Sequence, residues 1–217
     1  MMKLYPVISV LSNDTLNYYA KSSNRITSST SEKLLVNAWH HIAVCRSGTS
    51  TKMFLDGTQV GSTYSDSTNY ADSGRMRIGA SKNATSRIEG YMSNVRVVNS
   101  ALYTSNFTPP TAPLTNITNT NLLLNMSNGQ AIDSAAQNNL TLYGNAKIST
   151  DQAKFGNTSL YLDGSDDYLV VNNHRAYGTG PFTIEMFFRL DSVSGSRCLY
   201  DDRPDGASGD YISLIIA

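Results

Sequence analysis

Polar and apolar residues alternate most regularly over residues 37–61, and the alternation predicts an antiparallel meander. Side chains of an extended strand point alternately to two faces. Asp56-Gly57 is typical of a tight two-residue turn, because such a turn needs positive φ. Trp39, His41, Ala43 and Cys45 are predicted on one face of the first strand, with His40, Ile42, Val44 and Arg46 on the other.

The rest of the chain shows the same short alternating runs. Strands are predicted within residues 5–20, 34–36, 76–80, 88–98, 121–126, 140–143, 159–162, 168–171, 182–190, 197–200 and 211–216, and a loop over residues 63–74. The chain is rich in Ser, Thr, Asn and Gly, which disfavours long helices and favours strands joined by turns. The sequence therefore predicts an all-β fold.

A proline-rich segment divides the sequence near its middle. Pro109, Pro110 and Pro113 fall within five residues, and proline cannot donate to an interior sheet ladder. This segment is the strongest linker signal in the chain, and it predicts a boundary near residue 115.

Several motifs resemble one known family. They are Trp39-His40-His41-Ile42-Ala43, Lys52-Met53-Phe54-Leu55-Asp56-Gly57, Arg77-Ile78-Gly79 and residues 90–97, followed in the second half by residues 155–169 and 182–188. Together they resemble laminin-G-like modules of the concanavalin A-like lectin/glucanase class, especially those in bacteriophage virion proteins such as tails or fibres. The resemblance implies an antiparallel jelly-roll β-sandwich. It also implies an extracellular location, on a virion.

The order of the motifs is inverted relative to that family. Residues 1–115 resemble the second half of a module and residues 116–217 the first half, and Tyr5 and Tyr211 begin similar strands. We expect one circularly permuted sandwich. Two alternatives remain: halves of adjacent modules whose open edges are covered by a partner chain, or an excerpt of a tandem array.

The charge and composition of the chain limit the classes of partner that it is expected to bind. The chain has 17 basic and 17 acidic residues and a net charge of zero, so it lacks the basic footprint of a nucleic-acid-binding protein. No apolar run reaches the length of about 18 to 20 residues that a membrane helix needs, so we expect no membrane insertion. Cys45 and Cys198 lie in apolar strand patterns and are predicted to be buried thiols.

The carboxylates do not indicate an enzyme. Some relatives hydrolyse glucans with two or three carboxylates that face one groove. The best candidate here is Glu185, but its neighbours on the same strand face are Thr183 and Phe187. The module is therefore predicted to be non-enzymatic.

Calcium is the one candidate cofactor. Relatives hold calcium at the rim of the sandwich, and the turn after Asp133 resembles the turn involved, although it lacks the glycine of that motif. Calcium needs several oxygen ligands that converge. Asp133, Asn139 and Asn94 are the candidate ligands, with a solvated turn as the alternative interpretation. Asp163, Asp166 and Asp167 form a second acidic group, interpreted as a hairpin turn facing water.

Two loops offer the aromatic and amide groups that sugar binding requires. One spans residues 63–74, and the other surrounds Asn172 and His174. The candidate glycan contacts are Tyr64, Asp66, Asn69 and Tyr70 in the first loop, and Asn173 and Tyr177 in the second.

These observations lead to one functional hypothesis and two alternatives. The hypothesis is a non-enzymatic structural or adhesion module of a virion that binds carbohydrate on the host cell surface. The first alternative is a purely architectural protein that shares strands with copies of itself or other virion proteins. The second is a secreted, calcium-dependent adhesion domain.

Overall fold

The structure, a computed structural model, describes residues 15–21, 23–29, 31–32, 34–70, 75–81, 86–126, 133–135, 138–172, 176–195, 197–202 and 213–216. The regular elements in these residues are all β-strands, which confirms the predicted class. They are β1 (Leu16–Ala20), β2 (Ser23–Thr27), β3 (Trp39–Ser47), β4 (Ser50–Leu55), β5 (Thr58–Ser65), β6 (Met76–Ile78), β7 (Glu89–Val98), β8 (Thr120–Leu124), β9 (Asn139–Tyr143), β10 (Lys147–Ser149), β11 (Ser159–Asp163), β12 (Tyr168–Asn172), β13 (Phe182–Leu190), β14 (Arg197–Asp201) and β15 (Ser213–Ile216).

The strands form two antiparallel sheets. The seven-stranded sheet has the order β2-β1-β15-β14-β6-β12-β9, and the eight-stranded sheet has the order β10-β11-β7-β13-β3-β4-β5 with β8 paired to β7. One large apolar cluster contains Tyr18, Ile78 and Leu169 from the first sheet together with Ile42 and Ile184 from the second. The two sheets therefore pack face to face as a β-sandwich.

Both sheets contain strands from both sides of the proline-rich segment. β13 pairs with β3 on one side and with β7 on the other, and β12 pairs with β6. The predicted circular permutation relative to the usual module stays a prediction. The strands predicted at Tyr5 and Tyr211 begin outside the described residues, so their equivalence stays a prediction too.

The alternation predicted for the first hairpin is confirmed. Ile42 and Val44 lie in the core between the sheets, whereas Ala43 and Cys45 belong to a separate cluster on the outer face of the eight-stranded sheet. Asp56 and Gly57 have φ of 49° and 82° and join β4 to β5, as predicted. The predicted loop at residue 63 starts later, because β5 continues to Ser65. Cys45 and Cys198 are buried free thiols, also as predicted.

The proline-rich region packs against a sheet. Residues 99–119, called the strap below, contain no strand and cross the outer face of the eight-stranded sheet. Tyr103 and Phe107 of the strap stack on each other at 3.7 Å and pack against Phe54. The Leu114 N–H donates to Asn94 Oδ1 at 2.9 Å, and Arg96 Nη1 donates to the Thr115 carbonyl at 2.9 Å. These contacts fix the strap on the sheet.

Candidate functional site

The two loops predicted to bind sugar do meet in the structure. The Tyr70 N–H donates to the Gly178 carbonyl at 3.0 Å, and the Gly178 N–H donates to the Tyr70 carbonyl at 2.8 Å. Asp66, Tyr70 and Tyr177 are all buried, however, with exposed fractions of 1%, 1% and 4%. The two loops are neighbours in the fold, but these three side chains point inward.

Arg46 explains the burial of Asp66 and Tyr70. Its side chain is fully buried and donates to the carbonyls of Thr68 at 2.8 Å and Gly178 at 2.8 Å. The guanidinium lies over the Tyr70 ring, with Asp66 Oδ2 3.7 Å from Nη1. A buried cation needs acceptors and a counter-charge, so the polar groups of both loops turn inward towards it.

The structure therefore corrects the interpretation of Asp66, Tyr70 and Tyr177 as an exposed platform. The Tyr70 hydroxyl donates to Asp66 Oδ2 at 3.0 Å, and burial together with the charge of Asp66 raises the pKa of Tyr70. The Tyr177 hydroxyl bonds to that of Tyr200.

The other predicted glycan contacts are Tyr64, Asn69 and Asn173. Tyr64 is half-buried beneath the Arg25 guanidinium, 5.2 Å from its ring centroid. Asn69 is exposed. Asn172 Nδ2 donates to Thr141 Oγ1 at 3.3 Å, while Asn173 and His174 lie outside the described residues. Sugar contacts at Tyr64, Asn69 and Asn173 stay predictions.

The calcium ligands predicted at Asp133 do not fit an ion. Asp133 Oδ1 accepts the N–H groups of Leu123 and Ala135, and Oδ2 accepts the N–H and side-chain amide of Asn138, at 2.8 to 3.0 Å. Four donors already surround this carboxylate, which leaves no oxygen free for a cation. Asp133 organises its turn instead.

The other two candidate ligands lie apart from each other. Asn94 is buried in β7, where Oδ1 accepts the Leu114 N–H and Nδ2 donates to Ser93 Oγ at 2.8 Å. Asn139 is exposed on β9 of the other sheet. The polar atoms of Asp133 and Asn94 therefore serve hydrogen bonds within the fold, and calcium ligation by the predicted set of Asp133, Asn139 and Asn94 stays a prediction that these contacts do not support.

The second acidic group is a turn, as interpreted from the sequence. Oxygen atoms of Asp163, Asp166 and Asp167 lie within 4.8 Å of one another. Asp167 is nevertheless buried, and its two oxygens accept the N–H groups of Asn145 and Asp163. The expectation that the charges of this turn face water holds for Asp166 and not for Asp167.

An open cleft of about 530 Å³ lies on the outer face of the eight-stranded sheet, beside the strap. We call it the outer cleft. β3 and β13 supply its floor, the turn between β4 and β5 and the loop between β10 and β11 supply its sides, and residues 108–111 of the strap form a wall. Its lining includes the side chains of Trp39, His41, Asp56, Lys154, Phe155 and Phe187.

Aromatic rings and one cation line this cleft. Phe155 meets Phe187 edge to face at a centroid distance of 5.1 Å, and His41 lies 4.6 Å from Phe187. Lys154 Nζ lies 5.2 Å from the Phe187 ring centroid and 5.7 Å from that of Phe155. Trp39 and Phe155 are partly exposed, so a ligand can reach these two rings.

Asp56 supplies the acidic side of the cleft. Its Oδ2 accepts from His40 Nδ1 at 2.8 Å, and Oδ1 accepts the His41 N–H at 2.7 Å. Partial burial alone would raise the pKa of Asp56, but the hydrogen bonds from His40 and His41 outweigh burial and hold this pKa below its ordinary value. The side chain is 49% exposed, so its remaining acceptor capacity faces the cleft opening.

A buried polar network underlies the cleft. Glu185 Oε1 accepts from Arg96 Nη2 at 2.6 Å, while Oε2 accepts from the Tyr103 hydroxyl at 2.8 Å and lies 3.2 Å from His41 Nε2. A bulge positions Arg96: two residues, Asn94 and Val95, oppose the single Met186, and Asn94 has φ of 51°. The bulge places Arg96 opposite Glu185 on the outer face.

One atom of this network lacks a partner. His41 is 1% exposed, and its Nε2 faces Glu185, but Nδ1 has no hydrogen-bond partner within the described part of the chain. Buried polar atoms are nearly always satisfied. Because His41 lines the outer cleft, Nδ1 is a polar atom that a ligand hydroxyl or a water molecule would satisfy.

Sequence patterns alone do not identify the residues of the outer cleft. The sequence pattern predicts Trp39 in a strand and Asp56 in a turn, and nothing in it distinguishes Lys154. The cleft gathers side chains from segments more than 100 residues apart, so no local spacing connects them. The half-exposed tryptophan, alone of its type in the chain, is the one signal that points to the site.

The fold places this chain in a structural class, the all-β antiparallel sandwiches. More particularly, residues 5–106 match a laminin G family model described as the concanavalin A-like lectin/glucanases superfamily. No curated protein matches the chain. The family match includes Trp39, His41 and Asp56 but ends before residues 108–111 and Lys154, so the far wall of the outer cleft lies outside it.

The structure also bears on the predicted location. The described residues include no helix that is long and apolar enough to cross a membrane.

Proposed function

We propose that the chain is a non-enzymatic adhesion module that binds carbohydrate in the outer cleft. The observation that carries this proposal is the pairing of accessible rings, Trp39 and Phe155, with the polar groups of Asp56 and Lys154 in one open cleft. Sugar rings have apolar C–H faces that pack on aromatic rings, and their hydroxyls need a few well-placed polar partners.

The unpartnered His41 Nδ1 supports the same function. A polar atom buried without a partner costs about 1–3 kcal/mol, and a sugar hydroxyl in the cleft would remove that cost.

Binding rather than hydrolysis fits the two carboxylates at the cleft, Asp56 at its side and Glu185 beneath it, because the pKa of each is lowered and neither is suited to be a protonated general acid. Glycosidases use two carboxyl groups at a defined separation. Glu185 is fully buried and is already bonded to Arg96, Tyr103 and His41. Its neighbours on the outer face of β13 are Thr183 and Phe187, which carry no carboxylate. Glu185 is better suited to hold the floor of a binding site.

Replacing Trp39 by Ala tests the proposal. We expect an oligosaccharide identified on a glycan array to bind the Trp39→Ala variant at least about tenfold more weakly, because a stacking ring is lost. Isothermal titration calorimetry measures the change. Tyr64→Ala is the matched control, since Tyr64 is another partly exposed ring from the loop first predicted by sequence. Loss of binding in Tyr64→Ala with full binding in Trp39→Ala would move the site to that loop.

The architectural alternative has one supporting observation. β9 is an edge strand of the seven-stranded sheet, and Leu142 and Tyr143 on it are 41% and 38% exposed. Exposed edges invite pairing with another chain. Light scattering decides: a monomer would remove this alternative, and an oligomer that Leu142→Lys dissociates would support it.

Two more specific expectations rest on the family resemblance. We propose a virion surface as the setting and a host-cell glycan as the ligand, and adsorption of virions blocked by the purified chain would test both. Calcium-dependent adhesion has less support, because Asp133 has no free oxygen for an ion.

A further inference from the structure

We infer that the outer cleft selects a sugar that carries a carboxylate, such as a uronic or a sialic acid, with the carboxylate on Lys154 and hydroxyls on Asp56. This inference rests on the proposed carbohydrate binding and specifies the chemistry of its ligand.

Lys154 is a cation with no counter-charge among the residues that the structure describes. In the described part of the chain its Nζ makes no ion pair or hydrogen bond and lies over the faces of Phe155 and Phe187. Cation–π contacts hold an ammonium in place but accept none of its three N–H groups. A carboxylate entering the cleft would receive a charge-assisted hydrogen bond from a donor that is already positioned.

Asp56 gives the ligand its orientation. Its two oxygens each accept one hydrogen bond from the His40–His41 pair, and each retains capacity for a further donor. Asp56 stays ionised at neutral pH, so it repels a carboxylate and attracts hydroxyl donors. Lys154 and Asp56 form no salt bridge with each other within 4.0 Å in the described chain, so both remain available to a ligand.

A neutral sugar fits this cleft less well. It would cover Lys154 without offering a negative charge, and removing a charged group from water without a partner is unfavourable. The cleft therefore discriminates by the presence of one acidic group, while the aromatic rings contribute equally to neutral and acidic sugars.

The experiment compares matched ligands on the full chain by calorimetry. One pair is an oligogalacturonate and the same oligomer with its carboxylates reduced to alcohols; the other is sialyllactose and lactose. We expect the wild-type chain to bind at least one carboxylated member about tenfold more tightly than its neutral counterpart, the usual value of a charged hydrogen bond. The pair that shows the preference identifies the source of the carboxylate.

Lys154→Gln should reduce this preference to within about threefold, because the acidic member loses its charged partner and the neutral member no longer covers a charge. Lys147→Gln is the matched control, because Lys147 also lies over an aromatic ring, 5.5 Å from the Tyr161 centroid, and is not part of the cleft. Equal binding of acidic and neutral members by the wild type, or a preference that survives Lys154→Gln, would overturn the inference while leaving carbohydrate binding intact. Absence of binding to all four ligands would count against both proposals.

Discussion

At the scale of single residues, Glu185 shows how a charged group can be buried on the outer face of a sheet. Its carboxylate has no exposed surface and is surrounded by donors from β3, β7 and the strap. Burial alone would raise the pKa of Glu185, but hydrogen bonds from His41 and Tyr103 and the charge of Arg96 hold it below its ordinary value. The folded state therefore favours the ionised form.

Glu185→Gln should destabilise the fold by about 3 kcal/mol, because it leaves Arg96 as a buried cation without its counter-charge. Urea unfolding at pH 7 measures this loss. A loss below about 1 kcal/mol, the range of surface pairs, would mean that the network contributes little. Arg189→Gln is the control, since Arg189 pairs with Asp191 at a more exposed position.

The same carboxylate makes stability depend on pH. A lowered folded pKa contributes stability that is complete above the unfolded value, about 4.3 for Glu, and that is lost as the pH falls through the folded value. Wild-type stability should therefore fall below about pH 4, and Glu185→Gln should lose less over that interval. Asp56 also has a lowered pKa, so Asp56→Asn separates the two contributions. Parallel pH curves for Glu185→Gln and the wild type would contradict this assignment.

The residue scale is also where sequence reasoning was weakest. Because Tyr70 lies in a polar loop, its ring is predicted to be exposed. Nothing nearby in the sequence indicates that contacts with Arg46 hold this ring inside the fold. Asn94 is predicted as a metal ligand from the family resemblance, but an amide serves structural hydrogen bonds equally well. Its positive φ and its bond to Leu114, 20 residues away, become visible only after folding.

At the scale of elements, the strap converts a flat sheet face into a cleft. Tyr103 and Phe107 cover the middle of the eight-stranded sheet, and residues 108–111 rise beside Trp39 and Lys154. The sequence identified the prolines of this segment and interpreted them as a linker. It gave no indication that the segment packs on the sheet, because contacts such as Phe107 with Phe54 join distant positions.

Gly57 is where the strap meets the turn between β4 and β5. Its carbonyl accepts the Phe107 N–H at 2.9 Å, and a Cβ there would lie 2.0 Å from the Phe107 carbonyl oxygen. Gly57→Ala should cost about 3 kcal/mol, from positive φ together with this clash. It should also weaken carbohydrate binding, because the strap wall must move.

Gly48→Ala provides the matched control for that change. Gly48 has a similar positive φ of 58° but has no atom within 4 Å of the added Cβ, so only the backbone cost of about 1 kcal/mol applies. Thermal unfolding measures both variants. Equal losses in the two would show that the contact between Gly57 and the strap is unimportant.

At the scale of the whole molecule, the fold class followed from the sequence and the arrangement did not. Alternation over 39–46 and the turn at Asp56-Gly57 were sufficient to predict antiparallel strands, because period and turn chemistry are local. The order of strands within a sheet is not local. β13 lies between β3 and β7, although each of these strands is more than 80 residues away from it in the chain. Only tertiary packing decides such neighbours.

This interleaving makes the two halves of the chain mutually dependent. A chain of residues 1–115 would leave β3 and β7 without β13 between them, and a chain of residues 116–217 would leave β13 without either neighbour. Each would expose long open edges and half of one apolar core. We expect each half alone to lack cooperative thermal unfolding, and a mixture refolded together to recover the single transition of the intact chain. A half that unfolds cooperatively by itself, as judged by circular dichroism and calorimetry, would instead establish an independent domain on one side of residue 115.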